Sequence, residues 1–113
     1  MHRNVTKRIA AAFIAGTLCL LAGAEAARAT CLYVDWNDIY HPFVNTCSVG
    51  IDFQFTDQGS CRGWSCSGYV GAGGRYGTGG LSGNVEWVEC QSPGGIGDVI
   101  ASCDSSGRCA CKG

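Results

Sequence analysis

The sequence predicts an all-β fold, a small disulfide-stapled antiparallel sheet or sandwich with glycine-rich loops. Three observations carry this prediction. The chain of 113 residues has nine cysteines and 18 glycines. Several of its segments alternate apolar and polar residues with the period of a strand, and no segment repeats apolar residues at helical spacing over more than two turns.

The first 29 residues have the organisation of a secretory signal peptide. Basic residues precede an apolar run from residue 9 to residue 24, and small residues precede a predicted cut after Ala29, with a cut after Ala26 as the alternative. The apolar run is short for a bilayer span, which needs roughly 20 residues. We therefore expect no membrane anchor after cleavage, and an exported bacterial protein in the periplasm or outside the cell.

The predicted mature domain, residues 30–113, is small and acidic. Cleavage removes four of the eight bases and one of the nine acids, which leaves four bases against eight acids and a net charge of −4. The remaining bases are scattered, so we expect no nucleic-acid partner, whose phosphates require clustered Lys and Arg. A single domain of this size has a thin stability margin, and disulfides are the expected supplement.

The clearest strand in the sequence spans residues 47–55. Every second residue of this segment is apolar: Cys47, Val49, Ile51, Phe53 and Phe55. This period of two is typical of a half-buried strand. Turn-forming residues follow at 56–60, and residues 65–70 are predicted to form a second strand.

The segment from Gly71 to Gly80 is more than half glycine and is predicted to be a loop. Residues 84–90 then form another predicted strand, which ends at the turn residues 92–95. Glu86 and Glu89 lie three residues apart on this strand, so they fall on opposite faces and cannot act as a glycosidase pair. We expect both carboxylates to be solvated.

Both ends of the predicted domain also favour β structure. Residues 31–36 are predicted to form a strand that leads into an irregular segment, 37–42. At the other end, residues 98–103 and 108–111 flank a four-residue turn that ends in Gly107, which predicts a hairpin.

Cysteine usage predicts four disulfides. Cys19 leaves with the leader, and an even number remains: Cys31, Cys47, Cys61, Cys66, Cys90, Cys103, Cys109 and Cys111. Close spacing favours a bridge between Cys61 and Cys66. A bridge between Cys47 and Cys90 would join two predicted strands, and Cys31 would then pair within the C-terminal cluster and pin the start of the domain to the final hairpin.

The residues that catalysis would need are not arranged for it. Ser65 lacks the second glycine of a nucleophile elbow, and His41 is the single histidine after residue 29. The glycine-rich segment lacks phosphate-loop spacing. Cys109 and Cys111 are more typical of a disulfide than of a metal site in an exported chain, and residues 35–38 lack the rest of a calcium loop. We therefore expect no catalytic residue, no metal and no cofactor.

Aromatic side chains are the remaining candidates for function. Phe53, Phe55 and Trp87 are predicted to build the core. Four other aromatics lie in irregular segments or inside the predicted Cys61–Cys66 loop and are candidates to present a ring to a partner: Trp36, Tyr40, Trp64 and Tyr76.

The block from Asn45 to Pro93 carries a resemblance. It contains Asn45-Thr46-Cys47-Ser48 before the alternating strand, Cys61 and Cys66 four residues apart, the glycine-rich loop, and Val85-Glu-Trp-Val-Glu-Cys90-Gln-Ser-Pro93. In these features the chain resembles a loose group of small, cysteine-rich exported bacterial proteins that are uncharacterised. The resemblance covers about half of the predicted mature chain and implies no activity.

These features together favour an exported, non-enzymatic binding or interaction module that recognises a protein or glycan surface. The alternative is a secreted toxin or antimicrobial-type effector, which would use the same disulfide scaffold. The acidic charge disfavours direct attack on membranes, where cationic surfaces are usual. A small extracytoplasmic hydrolase is the third hypothesis.

Overall fold

The computed structural model describes Thr6–Lys7 and residues 30–113, so the rest of the predicted signal peptide lies outside the described residues. The described strands are β1 (Thr6–Lys7), β2 (Leu32–Val34), β3 (Phe43–Asn45), β4 (Gly50–Thr56), β5 (Cys66–Val70), β6 (Arg75–Tyr76), β7 (Glu86–Ser92), β8 (Ile100–Cys103) and β9 (Cys109–Lys112). No described residue is helical, which confirms the all-β class. Within the same residues, no helix is long and apolar enough to cross a membrane.

The strands form three antiparallel sheets. The central sheet has the order β1-β7-β4-β5, and its strands β4 and β7 pair along all seven residues of each. The front sheet has the order β2-β3-β6, and the back hairpin consists of β8 and β9. The predicted C-terminal hairpin is thereby confirmed.

The front sheet packs on the central sheet through aromatic rings. Phe43 on β3 is fully buried, and its ring centroid lies 4.7 Å from that of Phe53, 5.0 Å from that of Phe55 and 5.1 Å from that of Trp87. Phe55 and Trp87 are direct cross-strand partners. Tilted ring pairs at these separations add about 0.5–1.5 kcal/mol each beyond the burial of their area. The core predicted from the alternating strand is therefore the layer between these two sheets.

The opposite face of β4 packs on the back hairpin. The Gln54 side-chain amide donates hydrogen bonds to the carbonyl oxygens of Trp64 (2.7 Å) and Cys103 (3.2 Å) and accepts one from the Cys103 N–H (2.8 Å). Cys90, on the same face of the central sheet, is bonded to Cys111 of β9. The domain therefore has three layers, with the central sheet covered on both faces.

Four disulfides join the eight described cysteines in the pairs Cys31–Cys47, Cys61–Cys66, Cys90–Cys111 and Cys103–Cys109. The predicted bridge between Cys61 and Cys66 is confirmed.

The predicted bridge between Cys47 and Cys90 is wrong for two reasons. Gly50, the first residue of β4, pairs with Ser92, the last residue of β7, so Cys47 lies beyond the paired ends of the two strands. Cys90 also pairs with Asp52, on the face of the sheet that packs on the back hairpin.

The predicted link from Cys31 to the C-terminal cluster is also wrong. Cys103 and Cys109 lie directly opposite each other across the β8–β9 pair and bond to one another. Cys31 instead bonds to Cys47 and closes the segment that contains β2 and β3.

Besides β1, two short strands, β3 and β6, were not predicted. β6 lies inside the glycine-rich segment, where Arg75 and Tyr76 pair with Val44 and Phe43. The Tyr76 ring lies over Gly68, where an added Cβ would come within 2.6 Å of it. Part of the glycine-rich segment thus forms a strand of the front sheet, because Gly68 on the neighbouring strand β5 leaves room for the Tyr76 side chain.

Candidate binding site

The structure separates the four aromatic residues that the sequence singles out. Trp36 and Tyr40 lie in one surface loop and are 53% and 59% exposed. Trp64 is only 7% exposed, so its ring offers no surface on which a ligand could stack. Tyr76 packs its ring edge-on against Phe53 at a centroid distance of 5.2 Å, and its hydroxyl donates to the Ser67 carbonyl. The candidate site therefore centres on Trp36 and Tyr40.

Trp36 and Tyr40 are presented by the connection between β2 and β3, residues 35–42, which we call the aromatic loop. Its two ends are joined by a hydrogen bond from the Asp35 N–H to the Pro42 carbonyl (2.9 Å). The His41 N–H donates to the Asp38 carbonyl (2.9 Å), which closes a turn inside the loop. His41 itself adopts a φ of +46°, a conformation that side-chain-bearing residues rarely adopt without support from their surroundings.

Two aspartates brace the aromatic loop from within. The Asp35 carboxylate accepts from the Asn37 N–H (3.0 Å), and the Asp38 carboxylate accepts from the Tyr40 N–H (2.9 Å). Each is an Asx turn, a local alternative to regular secondary structure that aspartate favours. The repeated aspartate three residues apart is the sequence feature from which this bracing could have been predicted.

Arg75 of β6 ties both aspartates to the front sheet. Its guanidinium lies 2.8 Å from the Asp35 carboxylate and 3.5 Å from the Asp38 carboxylate. The hydrogen bond from Arg75, together with that from the Asn37 N–H, lowers the pKa of Asp35 below its usual value. The Asp35 carboxylate is therefore held in its charged form at neutral pH.

The glycine-rich segment supports the far side of the aromatic loop. The Thr78 hydroxyl lies within hydrogen-bond distance of the carbonyl oxygens of Tyr40 (2.9 Å) and His41 (3.2 Å). The Leu81 N–H donates to Nδ1 of His41 (2.8 Å). The His41 ring in turn contacts the Trp36 ring at a centroid distance of 4.9 Å. The histidine thus positions a tryptophan, a role that nothing in the sequence indicated.

The aromatic loop exposes large apolar side chains beside the polar Asn37. Ile39, which the sequence did not single out, is 75% exposed at its tip between Trp36 and Tyr40. Tyr33 on the adjoining strand β2 is 45% exposed. Four large apolar or aromatic side chains thus stand in solvent within eight residues of sequence, on a backbone that is hydrogen-bonded at both ends.

Glu89 does not have the environment predicted for it. Its register opposite Phe53, and that of Glu86 opposite Thr56, confirm that the two carboxylates lie on opposite faces of β7. Glu89 is only 1% exposed, however, so the expectation that it is solvated is wrong. Its face is the one that the front sheet covers, and alternation alone did not reveal which face of β7 that would be.

Other chemistry-bearing groups are dispersed. In the described residues, no three His, Cys, Asp or Glu side chains are placed to hold a metal ion together. Two open, shallow depressions lie elsewhere, one beside the turn of the back hairpin and one beside Asp57 and Arg62. Of these surface features, the aromatic loop is the one whose exposed side chains are held in place by several hydrogen bonds and an ion pair.

No protein-family model matches the chain, and the comparisons with curated proteins and with solved structures likewise give no match.

Proposed function

We propose that the protein is an exported, non-enzymatic binding module that contacts its partner with the apolar side chains of the aromatic loop. Four disulfides indicate an oxidising, extracytoplasmic environment. The observation that carries the proposal is fixed exposure: Trp36, Ile39 and Tyr40 are more than half exposed on a loop that is braced from three directions.

Fixed exposure favours binding because it lowers the entropic cost of association. Ordering a mobile loop and its side chains on binding costs free energy that a braced loop does not have to lose. Tryptophan and tyrosine are also the residues that most often dominate the energy of interfaces. Burying these rings in the core would stabilise the fold more than exposing them does, so their exposure favours a role in binding.

A protein surface is favoured over a glycan as the partner. Ile39, at 75% exposure, offers aliphatic area, which suits the apolar centre of a protein interface. Glycan recognition would use polar side chains beside the rings, but the two carboxylates of the loop accept backbone hydrogen bonds and pair with Arg75. They therefore serve the loop itself.

The test is a binding screen of the oxidised protein, residues 30–113, against extracellular and envelope proteins and, in parallel, against a glycan array. We expect hits among the proteins, and Trp36→Ala should weaken the best of them about tenfold or more. Ile39→Ser should also weaken it. Ile96→Ser is the matched control, because Ile96 is 78% exposed in a different loop and should bind like the wild type.

Three outcomes would count against the proposal. If neither the protein screen nor the glycan array gave a hit, the proposed binding function would be contradicted. Equal loss of affinity in Ile39→Ser and Ile96→Ser would show that the aromatic loop is not the contact surface. Growth inhibition of neighbouring cells that survives Trp36→Ala would favour the toxin alternative instead.

A further inference from the structure

The four disulfides differ in how far their cysteines are buried. Cys31, Cys61 and Cys90 are only 1%, 7% and 0% exposed, and each is bonded to a cysteine that is partly exposed. In the disulfide between Cys103 and Cys109, both cysteines are partly exposed. Of the four disulfides in the part of the chain that the structure describes, it is therefore the one in which neither cysteine is buried.

This disulfide joins the two strands of the back hairpin beside its turn. Cys103 is the last residue of β8, Cys109 is the first residue of β9, and the two are direct cross-strand partners. Both border the open depression beside the turn, and residues 104–106 and 108 around them are exposed. We therefore expect a small molecule in solution to reach this disulfide without any unfolding of the domain.

Burial decides how readily a disulfide exchanges with a thiol. A thiolate attacks one of the two sulfur atoms, and the other sulfur leaves as a thiolate. A buried cysteine is unsuited to both roles. The attacking group cannot reach it, and as a leaving group it would place a negative charge in the apolar interior, which is costly. Cys31, Cys61 and Cys90 each impose this restriction on their own disulfide, whereas Cys103 and Cys109 do not.

We propose that the Cys103–Cys109 disulfide is a site of reversible thiol–disulfide exchange that takes small-molecule thiols. The thiolate of one thiol molecule attacks one sulfur atom, the sulfur–sulfur bond breaks, and the other cysteine leaves as a thiolate that takes up a proton. The protein then carries the thiol as a mixed disulfide. A second thiol molecule attacks the sulfur of the attached thiol and departs with it as a small-molecule disulfide, so the protein gains two electrons and two protons. This inference is independent of the aromatic loop and of what the protein binds.

The contacts of the back hairpin keep it in place when this disulfide opens. The Gln54 side chain hydrogen-bonds to both the N–H and the carbonyl oxygen of Cys103, and the disulfide between Cys90 and Cys111 still ties β9 to the central sheet. The Cys103–Cys109 disulfide also closes a short loop, with a sequence separation of 6, so its loss releases less chain entropy than the loss of a bridge that closes a long loop. The two thiols therefore stay opposite each other and can be reoxidised.

The main experiment is limited reduction of the oxidised protein, residues 30–113, under native conditions at pH 8. The small thiol 2-mercaptoethanol is added, samples are quenched with iodoacetamide at intervals, and peptide mass mapping gives the fraction of each cysteine that carries either the alkyl label or the attached thiol. We expect Cys103 and Cys109 to be modified at least about ten times faster than the cysteines of any other disulfide, with an unchanged circular dichroism spectrum. If another disulfide opened first, or if all four opened together, the proposal would be overturned.

Two controls test the physical reason for this preference. In denaturant no cysteine is protected by burial, so the preference for Cys103 and Cys109 should fall below about threefold. A preference that persisted there would contradict the argument from burial. In the double variant Cys103→Ser, Cys109→Ser, the three remaining disulfides should resist the same treatment and the circular dichroism spectrum should match that of the wild type. Rapid reduction of those three disulfides, or failure of the variant to fold, would show that the exchange is not confined to the back hairpin.

Discussion

Replacing Asp57 by asparagine tests how strongly one buried carboxylate holds the connection between β4 and β5. Asp57 is 5% exposed, and its Oδ1 accepts from the N–H groups of Gly59 and Cys61, each at 2.8 Å. Its Oδ2 accepts from the Ser82 N–H at 3.1 Å, which joins this connection to the segment that precedes β7. An asparagine keeps one oxygen and replaces the other with a donor.

The expected loss follows from these three hydrogen bonds. In Asp57→Asn the Ser82 N–H faces a second donor, and leaving such a group unpaired costs about 1–3 kcal/mol. The other two bonds persist but lose the contribution of the charge. We therefore expect a loss of about 2–3 kcal/mol in the free energy of unfolding. For a domain of this size that lowers the melting temperature by about 10 °C or more.

Asp104 provides a matched control. Its Oδ1 accepts from the N–H groups of Ser106 (3.0 Å) and Arg108 (2.9 Å), at the same offsets of two and four residues. Asp104 is exposed, so water can replace what an asparagine fails to provide. Asp104→Asn should therefore cost clearly less stability than Asp57→Asn.

The pH dependence of the difference identifies its cause. Burial by itself would raise the pKa of Asp57, but the hydrogen bonds from the N–H groups of Cys61, Gly59 and Ser82 outweigh it and lower the pKa below its usual value. A lowered pKa means that the carboxylate stabilises the fold above the pKa of the unfolded chain and that this contribution is lost as the pH falls through the folded-state pKa.

The assay is denaturant unfolding of the oxidised wild type, Asp57→Asn and Asp104→Asn at pH 7 and again near pH 2. The gap between the wild type and Asp57→Asn should be full at pH 7 and should narrow in acid. A gap that does not change with pH, or equal losses in the two variants, would refute the explanation by charged, buried hydrogen bonding.

Three further substitutions test other parts of the fold, each by its unfolding midpoint. Asn45→Asp should cost about 3 kcal/mol or more, because the buried Asn45 amide donates toward three carbonyl oxygens that a carboxylate would repel; a neutral result would contradict that network. Gly68→Ala should cost about 1–3 kcal/mol through its clash with the Tyr76 ring, whereas Gly71→Ala, with open space around it, should cost less. Burial raises the pKa of Asp52 above its usual value, so ionisation of this carboxyl group destabilises the fold as the pH rises. Asp52→Asn should therefore be at least as stable as the wild type at pH 7. Any gain in stability over the wild type should disappear near pH 3.

The parts of the fold that could be predicted are those in which one strand carries its own pattern. β4 alternates buried and less buried residues because only one of its faces packs against the aromatic side chains of the core. This alternation is visible in the sequence. The back hairpin was predictable because its turn chemistry is local. In both cases the information lies within about ten residues.

The parts that could not be predicted depend on partners that are distant in sequence. All three residues of β3 are buried, so the strand has no alternation to detect. The burial of Glu89 depends on β2, which lies more than fifty residues earlier in the chain. The disulfide between Cys90 and Cys111 likewise requires knowing that the back hairpin covers the outer face of the central sheet.

Two of the four predicted binding residues lie in the candidate site, because the exposure of the other two depends on contacts that are distant in sequence. Exposed Trp36 and Tyr40 belong to an irregular segment, which composition alone identifies, whereas Trp64 belongs to an equally irregular segment and is buried. What separates them is tertiary packing. The Trp64 carbonyl accepts from the side chain of Gln54 on β4, which draws its connection onto the central sheet.

The glycine-rich segment has a more specific role than the flexible linker that its composition suggests. It supplies Arg75 to the aspartates of the aromatic loop and Thr78 to the carbonyl oxygens of Tyr40 and His41. The disulfide between Cys31 and Cys47 closes the chain around the same loop. The residues that hold the loop are therefore distinct from those that would touch a partner. Affinity can depend on Arg75 or Thr78 without either residue contacting the ligand, because losing them would return to the loop the conformational entropy that binding must then remove.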